Sequence, residues 1–193
     1  MKHTIFTRIN FEDKKLRDEY LAITKDVLIP SLKSQTNQNF TWIILTSDAD
    51  YLRKELDYPF ITVDDGGEYI RYAINNGINI QTRHDCDDYM APDYIETIQE
   101  LYSRNIKLID SFLIQSQPLK LMYHEDIIKK IKPYHSKRCS MHLSLCQKNV
   151  VHHINERKHG QMHEIASHVI TLREGITKWV IHGNNISVIG RKK

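Results

Sequence analysis

The sequence is poor in the residues that mark linkers, disulfide frameworks and membrane spans. Only 7 glycines and 5 prolines are present, spread along the chain, so no linker or domain boundary is evident. The 3 cysteines, Cys86, Cys139 and Cys146, form no C-x-x-C pair, which favours free thiols in a reducing compartment. No apolar run approaches the roughly 18 residues that cross a bilayer. We therefore expect a single domain over residues 1–193, in the cytoplasm and without a transmembrane segment.

A large excess of either charge is also missing. The chain has 27 basic and 24 acidic side chains, and its formal net charge of +3 does not by itself indicate nucleic-acid binding. Residues 1–4 lead directly into a strand-like segment and lack the apolar core of a signal peptide. Hydrophobic residues make up 40% of the chain, which is ordinary for a globular protein with a buried core.

Strand-like and helix-like segments alternate through the first half of the chain. Runs rich in β-branched and aromatic residues predict strands at 3–9, 40–46, 60–63 and 78–83. Helical spacing of apolar residues, or a typical helix boundary, predicts helices at 16–32, 51–56, 68–76 and 93–103. This alternation predicts an α/β fold with an open, mostly parallel sheet.

The second half of the chain is less regular. Residues 107–123 are expected to hold one long strand or two short ones around Pro118, and further strands are expected at 179–181 and 186–189. Glu125 and Asp126 are expected to begin a helix, where acidic side chains favour the helix dipole.

Three carboxylates, Asp85, Asp87 and Asp88, follow the strand that is predicted to end at Arg83. Like charges this close raise each other's pKa, and a divalent cation such as Mn²⁺ or Mg²⁺ would remove the conflict. In open α/β sheets ligands bind beyond the carboxyl ends of strands, where a metal can stabilise a departing diphosphate. The alternative is a solvated acidic turn that caps the following helix.

This acidic cluster belongs to one of four motifs that lie in order along the chain. They are T-R-I-N at 7–10, I-P-S-L-K-S-Q with F-T-W at 29–42, T-R-H-D-C-D-D at 82–88 and W-V-I-H-G-N-N-I-S at 179–187. Together they resemble the rhamnosyltransferase group of the GT-A glycosyltransferases. The resemblance implies a GT-A fold, a Rossmann-like, mostly parallel sheet flanked by helices. It also implies transfer of a sugar from a nucleotide-diphosphate donor.

The resemblance implies catalytic and metal-binding roles at the acidic cluster. Asp87 would be the principal metal ligand, and Asp85 would contact the ribose or sugar of the donor, directly or through the metal. Asp88 would orient the donor sugar or support the site from behind. His182 would reach the metal or the diphosphate, unless it is a structural histidine beside a Gly-Asn turn.

The resemblance also implies a set of donor-binding residues. Thr7, Arg8 and Asn10 would lie beside the nucleotide, and Asp48 is assigned to the same group. Arg83 is either a contact to the donor phosphates or an internal counter-ion of the acidic cluster.

The general base is harder to assign. Where the family has an acid at the end of its "f-l-s-l-v-E" segment, this chain has Gln147. Glu125, Asp126 and Glu164 are the remaining candidates, and we assign Asp126 to the catalytic set, although its acid could simply favour a helix dipole.

Two further features have ordinary explanations that we prefer. Among the 11 histidines, His159 and His163 have an i, i+4 spacing that could bind Zn²⁺, but exposed or hydrogen-bonded histidines are commoner. The basic residues at 129–138 and 191–193 are typical of solvated surface, although they could hold an anionic acceptor. Trp42 is expected in the core.

The sequence therefore predicts a glycosyltransferase that requires Mn²⁺ or Mg²⁺ and a nucleotide-diphosphate sugar donor. Its acceptor is unknown and could be a glycan, a lipid head group or a modified DNA base. A catalytically silent GT-A domain that binds nucleotide sugars or glycans is the main alternative, and a phosphate-ester hydrolase is a more distant one.

Overall fold

The computed structural model describes residues 1–116, 119–124, 127–133, 142–157, 159–166, 168–173 and 175–181. The strands in this part of the chain are β1 (His3–Arg8), β2 (Thr41–Leu45), β3 (Ile61–Val63), β4 (Ile80–Arg83), β5 (Tyr89–Met90), β6 (Ser111–Gln115), β7 (Leu119–His124), β8 (Ile127–Pro133), β9 (Leu143–Gln147), β10 (Val169–Thr171) and β11 (Thr177–Ile181).

The α-helices are α1 (Lys14–Ile23), α2 (Ile29–Lys33), α3 (Ala49–Glu55), α4 (Glu68–Asn75) and α5 (Tyr94–Asn105). A π-helical segment, Thr24–Leu28, joins α1 to α2, and a 3₁₀ helix spans His159–Glu164. Asp13 caps α1 by accepting a hydrogen bond from the backbone N–H of Leu16. Across the described residues, no helix combines the length and apolar character needed to span a membrane.

Seven strands form the main sheet, in the spatial order β3–β2–β1–β4–β9–β6–β10. All neighbouring strands are parallel except that β9 runs antiparallel to both β4 and β6. The chain adds β2 and β3 on one side of β1 and then places β4 on the other side. The carboxyl ends of β1 and β4 therefore flank a topological switch point, where open α/β sheets bind ligands.

Helices cover both faces of the main sheet. On β1, Ile5 belongs to a buried cluster with Leu21 of α1 and Ile98 of α5, while the next residue, Phe6, belongs to another with Ala73 of α4. Successive side chains of a strand point to opposite faces, so both faces of β1 are buried. This explains why the parallel strands are continuous apolar runs rather than alternating ones.

A second sheet of four strands, in the order β5–β11–β7–β8, follows the acidic cluster. Strand β11 pairs antiparallel with β5 and parallel with β7, and β7 pairs antiparallel with β8. Because β5 begins at Tyr89, directly after Asp88, this sheet starts where the predicted metal site ends.

The structure confirms the alternating strands and helices that were predicted over residues 3–103. Of the two arrangements expected around Pro118, the structure has two strands, β6 (Ser111–Gln115) and β7 (Leu119–His124). The helix predicted to begin at Glu125 and Asp126 is wrong, because residues 127–133 form β8. The β-branched Ile127 and Ile128 suit a strand, and pairing with β7 overrides the helical tendency of the lysines. The strand predicted at 186–189 lies outside the described residues.

Buried histidines contribute to the cores of the main sheet. The Nε2 of His3 lies 2.8 Å from the hydroxyl of Thr82, and the ring of His153 lies 4.6 Å from that of Phe6 and 4.7 Å from that of Tyr69. Burial lowers the pKa of His3 and of His153 to about 3, since a charged imidazolium would lose its hydration there. Both are therefore neutral in the folded protein at neutral pH.

We predict that the free energy of unfolding falls as the pH drops below about 6.5, the ordinary pKa of histidine. Between pH 6.5 and about 3 the unfolded chain binds protons that buried His3 and His153 exclude, so this stability is present above that window and lost within it. Each such histidine contributes a slope of up to about 1.4 kcal/mol per pH unit. Urea unfolding at several pH values between 7.5 and 5 would measure the slope.

The matched variants for this prediction are His3→Gln and His163→Gln. His3 is 3% exposed, whereas His163 is exposed, so only the first change should reduce the slope. Equal slopes in His3→Gln and the natural chain would contradict the assignment.

Candidate functional site

Polar side chains follow β1, β2 and β3 at the edge of the sheet that contains the switch point. The guanidinium Nε of Arg8 donates to Asp65 at 3.0 Å, and the amide of Asn10 donates to the same carboxylate at 3.3 Å. The hydroxyl of Ser47 donates to the carbonyl oxygen of the Asn10 side chain at 2.8 Å. These bonds join the ends of the three strands into one polar rim beside the crevice.

Arg83 ends β4 on the other side of this crevice. Its side chain is partly buried, and burial is the main cause that lowers its pKa; the charge of Arg8 lowers it further, while Asp85 and Tyr69 raise it. The guanidinium makes no hydrogen bond and no ion pair with any of the described residues. A partly buried cation of this kind is well suited to bind an anionic ligand, because its donors are not used by the protein.

The acidic loop, residues 85–88, follows Arg83 directly. Its three carboxylates differ in exposure: Asp85 is partly exposed, Asp87 is 6% exposed and Asp88 is fully buried. Asp85 is therefore the most exposed of the three carboxylates.

The Asp88 carboxylate is bound from two directions. One oxygen accepts a hydrogen bond of 2.9 Å from the backbone N–H of Val180 in β11, and the other lies 3.2 Å from Nε2 of His142. His142 directly precedes β9, whose first residue, Leu143, pairs with Arg83 at the end of β4. Asp88 thus ties the acidic loop to both sheets, which fits the supporting role among its two predicted roles.

Burial governs the ionisation of this pair. It raises the pKa of Asp88 well above its usual range, with Asp87 and Asp85 adding to the effect and the Val180 N–H opposing it. Burial also lowers the pKa of His142 to about 4, against the attraction of Asp85 and Asp87. Burial thus disfavours the charged form of both groups, because neither keeps the hydration that a charged form has in water.

His142 and His84 are site residues that the sequence did not identify. His84 is 1% exposed, its Nδ1 lies 2.9 Å from the carbonyl oxygen of Asp85, and its ring centroid is 4.9 Å from that of His142. Burial, and then His142, lower its pKa to about 3. His142 is 54 positions after Asp88 in the numbering, so only the pairing of β9 with β4 brings them together.

Other residues predicted to bind the donor have structural partners of their own. Thr7 is fully buried, and its hydroxyl accepts a hydrogen bond of 3.0 Å from the indole N–H of Trp42, which is a core residue as predicted. Asp48 caps α3 by accepting from the N–H of Tyr51, and its carboxylate also accepts from Arg17 at 2.8 Å. Asp126 and His182 lie outside the described residues.

Gln147 lies at the far end of the main sheet from the acidic loop. Because β9 is antiparallel to β4, its first residue is beside Arg83, while Gln147 lies beyond Ile80, the first residue of β4. A strand of five residues spans roughly 17 Å. The Gln147 side chain accepts from the N–H groups of residues 151 and 152 and donates to the carbonyl of His152. An acid here would not reach the acidic loop, so Gln147 is not evidence against catalysis.

Glu164, another candidate for the general base, and the two histidines considered as zinc ligands lie far from the acidic loop in the sequence. Glu164 is exposed and lies 3.9 Å from Arg157. His159 and His163 both fall within the 3₁₀ helix His159–Glu164, where an α-helix would have been needed for the expected i, i+4 face.

The acidic loop supplies carboxylate oxygens, the donor type that Mg²⁺ and Mn²⁺ take. Within the described ranges, no group of three or more His, Cys, Asp or Glu side chains is arranged to hold a metal ion. Mg²⁺ commonly takes one or two carboxylates and completes its coordination with water and substrate phosphates. Asp85 and Asp87 supply such hard oxygen donors, and Mn²⁺ accepts the same ligands.

No family model matches the chain, and no curated protein matches it. Solved structures do resemble it. A cytidylyltransferase from Leptospira borgpetersenii serovar Hardjo-bovis (strain JB197) is 13% identical, with a TM-score of 0.51 and coverage of 89% of this chain and 76% of that one. Rv0371c from Mycobacterium tuberculosis H37Rv, in complex with manganese, is 14% identical, with a TM-score of 0.49 and coverage of 100% and 97%.

TarS 1–349 from S. aureus, in complex with UDP-GlcNAc, is 14% identical, with a TM-score of 0.40 and coverage of 62% of this chain. The chain spans 36% of the length of TarS 1–349 and 22% of that of TarS. At these identities the likeness concerns the fold alone, and the cytidylyltransferase is the comparison among these with a TM-score above 0.5. The predicted fold class, an α/β nucleotide-diphospho-sugar transferase fold with a mostly parallel sheet flanked by helices, is confirmed.

We predict that Asp88→Ala destabilises the protein far more than Asp85→Ala. Removing the buried carboxylate leaves the Val180 N–H without its acceptor and takes away the ion-pair partner of His142, which should lower the free energy of unfolding by about 1–3 kcal/mol. Asp85 is partly exposed, so its truncation should change that free energy by about 0.5 kcal/mol or less. Urea unfolding at pH 7.5 measures both, and equal losses would contradict the supporting role of Asp88.

Proposed function

We propose that this chain is a metal-dependent glycosyltransferase that moves a sugar from a nucleotide-diphosphate donor to an acceptor. The observation that supports it most strongly is the guanidinium of Arg83, which is partly buried at the switch point and makes no hydrogen bond or ion pair with the described residues. Asp85 and Asp87, which follow it, are suited to a cation. A diphosphate bound to a divalent cation would satisfy both groups at once.

Each side chain would have a separate role in binding the donor. Asp85 and Asp87 would hold Mn²⁺ or Mg²⁺ together with phosphate oxygens, and the cation when bound supplies charge stabilisation to the departing diphosphate. Arg83 would bind and orient the diphosphate, and Arg8 lies close enough to lower its pKa. Asp88 would hold the acidic loop in place through Val180 and His142.

Several predicted roles belong to this proposal. Asn10 would contact the nucleotide from the polar rim, and Thr7 and Asp48 would support that rim from their positions in β1 and at the start of α3. His182 would complete the metal or diphosphate site, and Asp126 would be the general base. The acceptor would be a glycan, a lipid head group or a modified DNA base. We propose that it binds to the basic residues within 129–138.

Nucleotidyl transfer is the second candidate, favoured by the fold shared with the cytidylyltransferase. The two reactions break different bonds. Glycosyl transfer breaks the bond between the anomeric carbon of the sugar and the diphosphate oxygen. Nucleotidyl transfer breaks the bond from the α-phosphorus of a nucleoside triphosphate to its pyrophosphate. The four motifs in order favour glycosyl transfer.

We predict that Mn²⁺ and UDP together raise the melting temperature by more than the sum of their separate effects, because the cation and the diphosphate complete each other's coordination. Asp87→Asn should abolish this synergy. Asp57→Asn is the matched control, since the side chain of Asp57 is fully exposed, and it should retain the synergy. Synergy that survives in Asp87→Asn would place the metal elsewhere.

We predict that Arg83→Ala weakens binding of the donor more than it lowers the free energy of unfolding. With Mn²⁺ and no acceptor, the natural chain should slowly release nucleoside diphosphate from at least one UDP-, GDP- or dTDP-sugar. A charge-assisted hydrogen bond contributes about 1.5–3 kcal/mol, so Arg83→Ala should raise the KM for that sugar nucleotide by about 10- to 100-fold. Arg53→Ala, which changes an exposed arginine on α3 paired with Asp50, should leave KM unchanged.

The same assay separates the candidate functions. Release of nucleoside diphosphate that Asp87→Ala reduces by about 100-fold supports the glycosyltransferase. Pyrophosphate formed from a nucleoside triphosphate and a sugar phosphate would instead support nucleotidyl transfer. Binding of sugar nucleotides without turnover of any donor would favour the silent binding domain.

A further inference from the structure

Thr24 connects the long helical segment to the acidic loop. Its side chain is fully buried, and its hydroxyl lies 2.8 Å from the carbonyl oxygen of Tyr20 and 2.9 Å from that of Cys86. One hydroxyl has one hydrogen, so the two carbonyls share it in a three-centre hydrogen bond. The bond to Tyr20 is the usual i−4 bond of a helical threonine, whereas the bond to Cys86 crosses 62 positions of sequence.

The helix changes its geometry at this residue. α1 ends at Ile23, and the π-helical segment Thr24–Leu28 begins with Thr24. π-helical turns in a longer helix are rare and occur frequently at functional sites. Here the π-helical segment lies against the loop that carries the three carboxylates. Its unusual geometry therefore occurs next to the candidate site.

The same segment also contacts the strand that Asp88 binds. Ile23 and Val27 form a buried cluster with Val180 of β11, and the backbone N–H of Val180 donates to Asp88. The acidic loop is therefore held at two points: by Thr24 through the Cys86 carbonyl, and by Val180 through Asp88. Thr24 and Val180 therefore lie in the same packed region, because the neighbours of Thr24 pack against Val180.

We propose that Thr24 is a positioning residue that fixes the acidic loop for cation and diphosphate binding, an inference that rests on the proposed function. The carbonyl that Thr24 binds belongs to Cys86, the residue between Asp85 and Asp87. Restraining that peptide restrains the backbone on both sides of it, and so the separation and direction of the two carboxylates that would hold the cation. A loop without this bond would have to be ordered by the ligand itself, which lowers affinity.

The test compares Thr24→Val, Thr24→Ser and Ser31→Ala in the full chain. Valine keeps the branched shape of threonine and removes the hydroxyl, while serine keeps the hydroxyl. Ser31 is the matched control: it is 1% exposed in the same helical segment and donates to the Leu28 carbonyl at 2.8 Å, within the helix. Isothermal titration with Mn²⁺ and UDP measures affinity, and hydrogen exchange over residues 84–90 measures the order of the loop.

We expect Thr24→Val to weaken binding of Mn²⁺ and UDP by about 10- to 100-fold, as for residues that orient metal ligands. Thr24→Ser should restore affinity to within about threefold, and Ser31→Ala should leave it unchanged although it also loses a buried hydrogen bond. Exchange over 84–90 should accelerate in Thr24→Val alone. Affinity in Thr24→Val equal to that of the natural chain would overturn the proposal.

Failure of the proposed function gives a different result. If the natural chain binds neither Mn²⁺ nor UDP, the transferase proposal is contradicted. The exchange measurement then decides the role of Thr24 separately. Acceleration confined to 84–90 in Thr24→Val supports a residue that fixes this loop, and unchanged exchange there overturns it.

Discussion

The carboxylate of Asp88 is fully buried, so the protein itself must compensate this polar group. Its partners are the backbone N–H of Val180 and the ring of His142, which come from β11 and from the residue before β9. A buried charge without such partners is strongly unfavourable, so the acidic loop, the central antiparallel strand and the second sheet have to assemble together. The fold around the switch point depends on this one requirement.

The three neighbouring acids differ in how far they are buried. Asp88 is fully buried and accepts from the protein backbone, Asp87 is 6% exposed, and Asp85 is partly exposed. Arg83, which precedes this loop, makes no hydrogen bond or ion pair with the described residues, although the charge of Asp85 raises its pKa. Opposite charges in one polar cleft can be satisfied together by a ligand that is itself a cation and an anion, as a metal diphosphate is.

The direction of β9 changes how the absent family acid is interpreted. The resemblance places a family acid at the position of Gln147, and its replacement leaves the general base without an obvious candidate. In an antiparallel strand the two ends exchange places. His142 comes to the site, and Gln147 goes to the opposite edge, where its amide both donates to and accepts from the loop at 151–152. A carboxylate would not make both kinds of bond.

The sequence by itself determined the features that depend on near neighbours in the chain. Apolar periodicity located the strands and helices of residues 3–103, and the position of the acidic loop after a strand predicted a site at the sheet edge. The loop could be identified because its three acids lie within four consecutive residues, 85–88. Only the tertiary structure determined what depends on distant pairing, such as strand β8 where a helix was expected and the roles of His142 and Thr24. Those contacts join residues more than 50 positions apart or follow from strand partners, and local propensity contains no information about either.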